Sequence, residues 1–476
     1  MMSVLLRTAA LALPLATACS RGPEHPDVVL FLVDTLRADR LWCYGYELPT
    51  SPCIDRLATE GALFADVTAQ APWTLPSVVS LFHGRYLTEQ RMLTEPSWPT
   101  LAEAFRAAGY RTIGVVANPA LGVAGEFDRG FDRFDVGLVE DENGMRTRTV
   151  DEVRAILAQE LDEELAVERE GPRPPLLVYV HLMDPHAPYD SYPDLDDAVP
   201  VAGATAPMPR PWQSKAYPPS RWADDDEDPE WRMRWRWINE ERGRYDQGVR
   251  ATDEGIAGML ADLDARGLLE HAVVCVLSDH GECLWERLAP KSRRIRERFP
   301  PDEFFYQSHG ASVTQESVAT PLVFWGAGVP SGARIAAPVE NVDVLPTLLE
   351  LAGIALPGPV DGRSLVPAMR GAESDEQEYV FSRGSRSVMV REIDTGLKLI
   401  VADRTKARVP PTLHHLPSDP DELVDLYGER MDDAQRLHDA LLAWQVRYPP
   451  PAPEEASGEQ KAILKDLGYT AADIGE

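Results

Sequence analysis

Acidic and imidazole side chains recur along this chain just after short apolar runs. Asp34 follows Asp27-Val-Val-Leu-Phe-Leu-Val33. Asp184 and His186 fall in His181-Leu-Met-Asp-Pro-His-Ala-Pro188, Asp279 and His280 in Leu277-Ser-Asp-His-Gly-Glu282, and His309 in Ser308-His-Gly310. A lone Asp after a strand usually caps a helix or turns the chain, and a lone His is more often structural. Repetition at four strand ends predicts something else. Carboxylate oxygens mixed with imidazole nitrogens suit one or two divalent ions, Zn²⁺, Mn²⁺ or Ca²⁺, and a larger His share favours the transition metals. Glu282 reads equally as a support for this set and as a turn cap. His83 and His181 read as structural.

Thr74 supplies the candidate nucleophile. It stands in Ala71-Pro-Trp-Thr-Leu-Pro-Ser77, just before an apolar helix. A helix N-terminus offers free N–H groups and partial positive charge to a phosphate or sulfate. The same position also suits an N-cap with Pro76 in the first turn. A Thr hydroxyl is barely ionised at neutral pH, so attack requires a metal or a base to lower its pKa. The metal candidates nearby make the chemical role tenable.

The elements that must position these groups are legible as alternating strands and helices. Apolar runs at 27–33, 111–117, 175–181 and 272–277 read as buried parallel strands. Helices are expected at 52–61, 75–83, 101–108, 150–164 and 245–265. The alternation argues for an α/β fold, a doubly wound, mostly parallel sheet with helices on both faces. In such a sheet, ligands bind at the carboxyl ends of the strands, where these Asp and His residues lie. Beyond about residue 370, short strands at 379–382, 388–393 and 397–402 and a helix at 434–446 predict a smaller C-terminal α+β domain spanning 371–476. The main domain is expected over 27–370. Two stretches look inserted, near 193–242, rich in Trp, Pro, Asp and Arg, and near 288–301, rich in Arg and Pro. They read equally as surface loops and as a lid or specificity segment.

Charge and the N-terminus narrow the class further. Lys+Arg number 47 and Asp+Glu 77, a net charge of 47 − 77 = −30. Such a surface repels nucleic acid, so no nucleic-acid partner is expected. Arg7 precedes an apolar run, Thr8 to Ala18, too short for a permanent membrane helix; residues 1–18 read as a signal peptide. Ala16-Thr17-Ala18 fits cleavage before Cys19, and the same residues fit a lipobox in which Cys19 carries a lipid, followed by a short leader, 19–26. The expectation is an exported protein of the periplasm or cell envelope, touching membrane only through that anchor. Cys43, Cys53, Cys275 and Cys283 form no CxxC pair. A Cys43–Cys53 disulfide and free thiols both stay open.

Taken together, these motifs resemble the sulfatase family of the alkaline-phosphatase superfamily. The resemblance rests on Asp27 to Tyr46, Ala71 to Leu81, Met183-Asp-Pro-His-Ala-Pro-Tyr189 and Ser278-Asp-His-Gly-Glu282. It continues through Val342-Asp-Val-Leu-Pro-Thr-Leu-Leu349 with Asp361-Gly-Arg-Ser-Leu365, then Asp419 to Leu426 and Leu464-Lys-Asp-Leu-Gly-Tyr469. Several ordered motifs carry more weight than any one. The chain departs from the family pattern. Thr74 stands where the family carries a Cys or Ser oxidised to formylglycine, and Val78 stands where it carries Arg. Asn118 and Ala120 replace a Lys and a His, Thr35 replaces a second Asp, and His280 replaces an Asn. These departures are similar to superfamily members that use Thr on phosphoesters.

The resemblance implies that Asp34, Thr74, Asp279 and His280 hold one metal and that Thr74 attacks as its alkoxide, giving a phospho-threonine that water cleaves. It implies a second metal at Asp184, His186 and His309, or stabilisation of the leaving group there; a substrate contact for His186 is nearly as well supported. Asn118 would hydrogen-bond a non-bridging oxygen. The expected substrate is an anionic ester, a phosphorylated or sulfated small molecule, glycan or lipid headgroup. Hydrolysis of phosphate mono- or diesters leads. A sulfuric ester hydrolase, a phospho-group transferase on envelope components and a catalytically silent binding lipoprotein are the alternatives.

Overall fold

Residues Asp27–Val33 form a strand buried along its whole length. With a side-chain period of two, Val28, Leu30 and Leu32 enter one apolar cluster while Val29, Phe31 and Val33 enter another on the opposite face. The sequence therefore places this strand in the middle of a sheet covered on both sides. The computed structural model describes residues 25–87, 97–123, 126–137, 139–141, 144–201, 229–288, 305–372, 377–402 and 410–449. The expected signal peptide, Cys19, most of both insertions (202–228 and 289–304) and the motif at 464–469 lie outside the described residues.

An eight-stranded sheet runs in the order Ala333–Ile335, Ala62–Phe64, Leu322–Gly326, Ala272–Ser278, Asp27–Val33, Leu176–Leu182, Arg111–Val116, Arg133–Val136. The five strands from Ala272–Ser278 to Arg133–Val136 pair in parallel. Leu322–Gly326 is antiparallel to both of its neighbours. Helices Thr74–His83, Leu101–Ala107 and Val344–Leu351 cover one face. Helices Pro52–Glu60, Val150–Leu165 and Pro229–Ala265 cover the other. This is the doubly wound α/β arrangement expected.

Two features differ from the sequence reading. The strands at 62–64, 322–326 and 333–335, which extend one side of the sheet, were not anticipated, being too short to show a period. The last helix before Ala272 begins at Pro229 instead of Tyr245, so the end of the Trp-rich stretch is part of that helix.

A four-stranded antiparallel sheet, Tyr379–Arg383, Ser387–Glu392, Leu397–Ala402 and Thr412–His415, forms the smaller C-terminal unit. Helix Met431–Arg447 packs on it through Ala434, Leu437, Leu441 and Trp444. Arg391 joins it to the larger body by a two-pronged ion pair with Asp66, at 2.7 and 2.6 Å. Among the described residues, Cys43, Cys53, Cys275 and Cys283 form no disulfide. No helix among the described residues is long and apolar enough to cross a membrane.

Candidate active site

Strands Asp27–Val33, Leu176–Leu182 and Ala272–Ser278 are adjacent and parallel, with Val33 level with Leu182 and with Ser278. Residues that follow each strand therefore meet at one sheet edge. Asp34 comes from the turn after the central strand, Asp279 from the turn after the flanking strand Ala272–Ser278, and His181 from the last residues of the other flanking strand, Leu176–Leu182. One ligand atom from each of these three lies within 4.8 Å of the others. All three residues are buried.

Thr74 enters from helix Thr74–His83. It is the first helical residue, not the cap; Trp73 occupies the cap with extended backbone and no side-chain cap bond. Its hydroxyl is thus left for the site, donating to Asp34 Oδ2 at 3.2 Å with His280 Nε2 at 3.4 Å. Asn118 Nδ2 also donates to Asp34 Oδ2, at 3.0 Å, while its Oδ1 accepts from the Ala120 N–H. Asn118 therefore orients Asp34.

The tautomer of His280 follows from its surroundings. Nδ1 is 2.9 Å from the Gly281 carbonyl, which can only accept, so Nδ1 carries the proton. Nε2 then presents a lone pair 3.4 Å from Asp34 Oδ1 and 3.3 Å from Asp279 Oδ2. Those two oxygens, and both ring nitrogens of His181, are buried without hydrogen-bond partners. Buried lone pairs facing each other are costly unless a cation or a proton lies among them. Burial lowers His280 to about 3 and His181 to about 4, so both are neutral imidazoles at physiological pH, the form that binds metal. Burial and the charge of Asp34 push Asp279 well above the usual carboxylate range. Asp34 goes the other way, to about 2: burial raises it, while any positive charge on His186, His280, His181 or His309 lowers it. Two carboxylates and two neutral imidazoles with unsatisfied atoms fit a divalent ion.

His186 and His309 stand beside this group. Ring centroids are 5.1 Å apart for His186 and His309, and 4.6 Å for His280 and His309. His186 Nδ1 is tied to the Ala187 carbonyl at 2.6 Å, leaving Nε2 without a hydrogen-bond partner. His309 Nδ1 faces both carboxylate oxygens of the buried Glu282 at 3.4 Å. Glu282 therefore backs an imidazole.

A family model described as "Sulfatase" matches residues 26–354, more than half of the chain. The chain belongs to the sulfatase family. A second model, the C-terminal part of N-sulphoglucosamine sulphohydrolase, matches residues 309–446. Among curated relatives of this chain, the ulvan-active sulfatase of Formosa agariphila is 26% identical over 386 residues, covering 76% of this chain and 68% of that one. Mouse steryl-sulfatase is 26% identical over 437 residues, with the same coverage of 76% and 68%. The match to mouse arylsulfatase K is 29% identical but spans 42% of this chain and only 34% of that protein. Two solved structures share the fold. BT4656, in complex with its substrate D-glucosamine-2-N,6-O-disulfate, has a TM-score of 0.67 at 16% identity, covering 89% of this chain and 98% of that one. The phosphonate monoester hydrolase of Agrobacterium radiobacter has a TM-score of 0.62 at 18% identity, covering 89% and 96%. The family consists of metal-dependent hydrolases of sulfate or phosphonate esters.

The structure brings Asp34, Thr74, Asp279, His280 and Asn118 into one cluster and sets His186 and His309 against it. Asp184 is placed differently. Its Oδ1 accepts from the Val150 N–H at 3.2 Å and from the Tyr192 hydroxyl at 3.0 Å, so it caps a helix start. Burial nevertheless raises it to about 6. His181, read from sequence as structural, lies inside the cluster. The signal available was a single imidazole near the end of the otherwise apolar run Leu-Leu-Val-Tyr-Val-His-Leu. His83 is structural: its Nδ1 lies 3.1 Å from the Pro99 carbonyl.

Proposed function

We propose that this protein hydrolyses phosphate mono- or diesters with Thr74 as nucleophile. The carrying observation is the Thr74 hydroxyl, buried at a helix start, 3.2 Å from Asp34 Oδ2 and 3.4 Å from His280 Nε2. Asp34, Asp279, His280 and His181 would hold a divalent ion, and that ion would lower the pKa of the hydroxyl and neutralise charge on the ester. Asp34 Oδ2 holds the hydroxyl proton, and Asn118 fixes that carboxylate in place. The oxygen of Thr74 bonds to phosphorus as the ester oxygen leaves. The N–H groups at the helix start face the developing negative charge. His309, whose Nδ1 faces Glu282, donates a proton to the departing oxygen, and His186 contacts substrate. Water then cleaves the phospho-threonine.

A second reading, sulfate-ester hydrolysis, is favoured by the relatives, which are mostly sulfatases. The complex of BT4656 with a disulfated glucosamine supports a charged glycan as the natural substrate on either reading. Export through residues 1–18, lipid attachment at Cys19 and a domain boundary near 370 belong to the same proposal.

The test is a panel of aryl phosphate, bis-aryl phosphate, aryl phosphonate and aryl sulfate, with Zn²⁺, Mn²⁺ or Ca²⁺ restored after chelation. Metal-dependent phosphoester turnover that vanishes in Thr74→Ala supports the reading. Sulfate turnover that survives Thr74→Ala would overturn the assigned nucleophile.

A further inference from the structure

The turn that carries Asp34 is strained. Thr35, β-branched, has φ +58°, a left-handed conformation that such residues rarely adopt. Its Oγ1 donates to the Asp34 carbonyl at 2.7 Å. Its N–H reaches Asp279 Oδ1 at 3.4 Å, so the conformation of Thr35 also bears on the second carboxylate. A strained residue persists only where its surroundings over-determine it.

The long helix supplies the restraint. The Tyr245 hydroxyl, fully buried, donates to the Thr35 carbonyl at 2.8 Å and accepts from the Arg37 N–H at 3.0 Å. One oxygen thus pins the backbone on both sides of the turn. Arg37 carries the restraint onward: its Nη1 donates to the Glu282 carbonyl at 3.0 Å and to Glu286 at 2.7 Å, two residues and six residues past His280. Three residues along the helix, Gly248 packs so closely on the Asp184 carbonyl that an added Cβ would lie 2.5 Å from it. The helix therefore cannot shift along the turn without colliding with the segment that leads to His186.

We infer that Tyr245 is a positioning residue for the metal ligands. Its hydroxyl holds Thr35 in the left-handed conformation and so sets the separation of the Asp34 and Asp279 carboxylates. This rests on the reading of those two residues as ligands. It assigns to the helix after the Trp-rich stretch a role in metal affinity, not merely in packing.

The test is the Zn²⁺ and Mn²⁺ dissociation constants of the full chain, measured by competition with a chelator, for wild type, Tyr245→Phe and Asp253→Asn. Phe keeps the ring against Tyr189, 5.7 Å away, and removes only the hydroxyl. Asp253 lies on the same helix but grips Cys53 and Ile54, away from the ligands. Tyr245→Phe is expected to weaken binding by about tenfold or more, the scale seen when a partner of a metal ligand is removed. Asp253→Asn is expected to change thermal stability while leaving the constant within about twofold. A Tyr245→Phe protein that melts lower but binds both ions like wild type would overturn the inference and leave the ligand reading intact. Wild type that binds neither ion would overturn both.

Discussion

His181 Nε2 lies 3.7 Å from Asp34 Oδ2, in a fully buried setting where neither imidazole nitrogen has a hydrogen-bond partner. A structural histidine would have spent at least one nitrogen on a neighbour. Held neutral by burial, the ring has one lone pair available to a metal. His181→Ala should therefore weaken Zn²⁺ binding by at least about tenfold, while His83→Ala should leave it unchanged. Calorimetric titration of the two variants checks this, and equal affinities would remove His181 from the ligand set.

Thr74 contributes one hydroxyl and no cap. Thr74→Ala should retain the fold, since the helix start depends on Trp73 and its backbone, but lose turnover by about 10³-fold or more. Thr74→Ser should keep measurable activity because the attacking oxygen remains. A melting curve beside kcat separates the two effects: Thr74→Ala with near wild-type turnover would show that another group attacks.

The sheet and the catalytic edge were legible because they obey a simple period. Asp27–Val33 and Ala272–Ser278 are continuous apolar runs, and a polar residue right after such a run must emerge at the sheet edge. Pairing was less legible. Nothing in Leu322–Gly326, five residues long, says that it runs antiparallel between Ala272–Ser278 and Ala62–Phe64. The placement of Asp184 and His181 was illegible for a related reason. An Asp beside a His in a loop looks like a ligand, and only the structure shows its Oδ1 taken up by Val150 and Tyr192. An imidazole inside a strand looks like packing until its register beside Asp34 is known. The left-handed Thr35 has no sequence signal, because its strain is fixed by Tyr245, 210 residues away.

Asp253 sets a pH dependence of stability. Buried in the long helix, it accepts from the N–H groups of Cys53 and Ile54 at 2.9 and 2.8 Å, capping the helix that begins at Pro52. Burial raises it to about 7 in spite of those bonds. The folded protein therefore keeps this proton up to about pH 7, whereas the unfolded chain releases it near 3.8. Between those values the folded state binds more protons, so stability falls as pH rises, by up to about 1.4 kcal/mol per pH unit from this group. Urea midpoints from pH 5 to 8 should show a shallower slope in Asp253→Asn than in wild type. An unchanged slope would show that Asp253 is already ionised in the folded state.

Asp279 brings the cost of the site into view. Its Oδ1 accepts the His280 N–H at 2.9 Å, but Oδ2 has no hydrogen-bond partner and faces the lone pair of His280 Nε2 at 3.3 Å. Without an ion, burial and the nearby Asp34 charge both oppose ionisation of Asp279. Asp279→Asn is neutral without having to take up a proton on folding, keeps an oxygen for the N–H donors and can turn its amide toward Nε2. The metal-free variant should therefore be more stable than metal-free wild type, on the order of 2 kcal/mol. Adding Zn²⁺ should reverse the order. Wild type gains about 2.7 kcal/mol when the free ion stands at a hundred times its dissociation constant, whereas the variant, one carboxylate short, should gain little and lose turnover. Melting temperatures with chelator and with Zn²⁺ provide the comparison. If Asp279→Asn melts below wild type in chelator, the carboxylate is stabilised by the fold itself, and the case for a cation among Asp34, Asp279 and His280 loses its energetic basis.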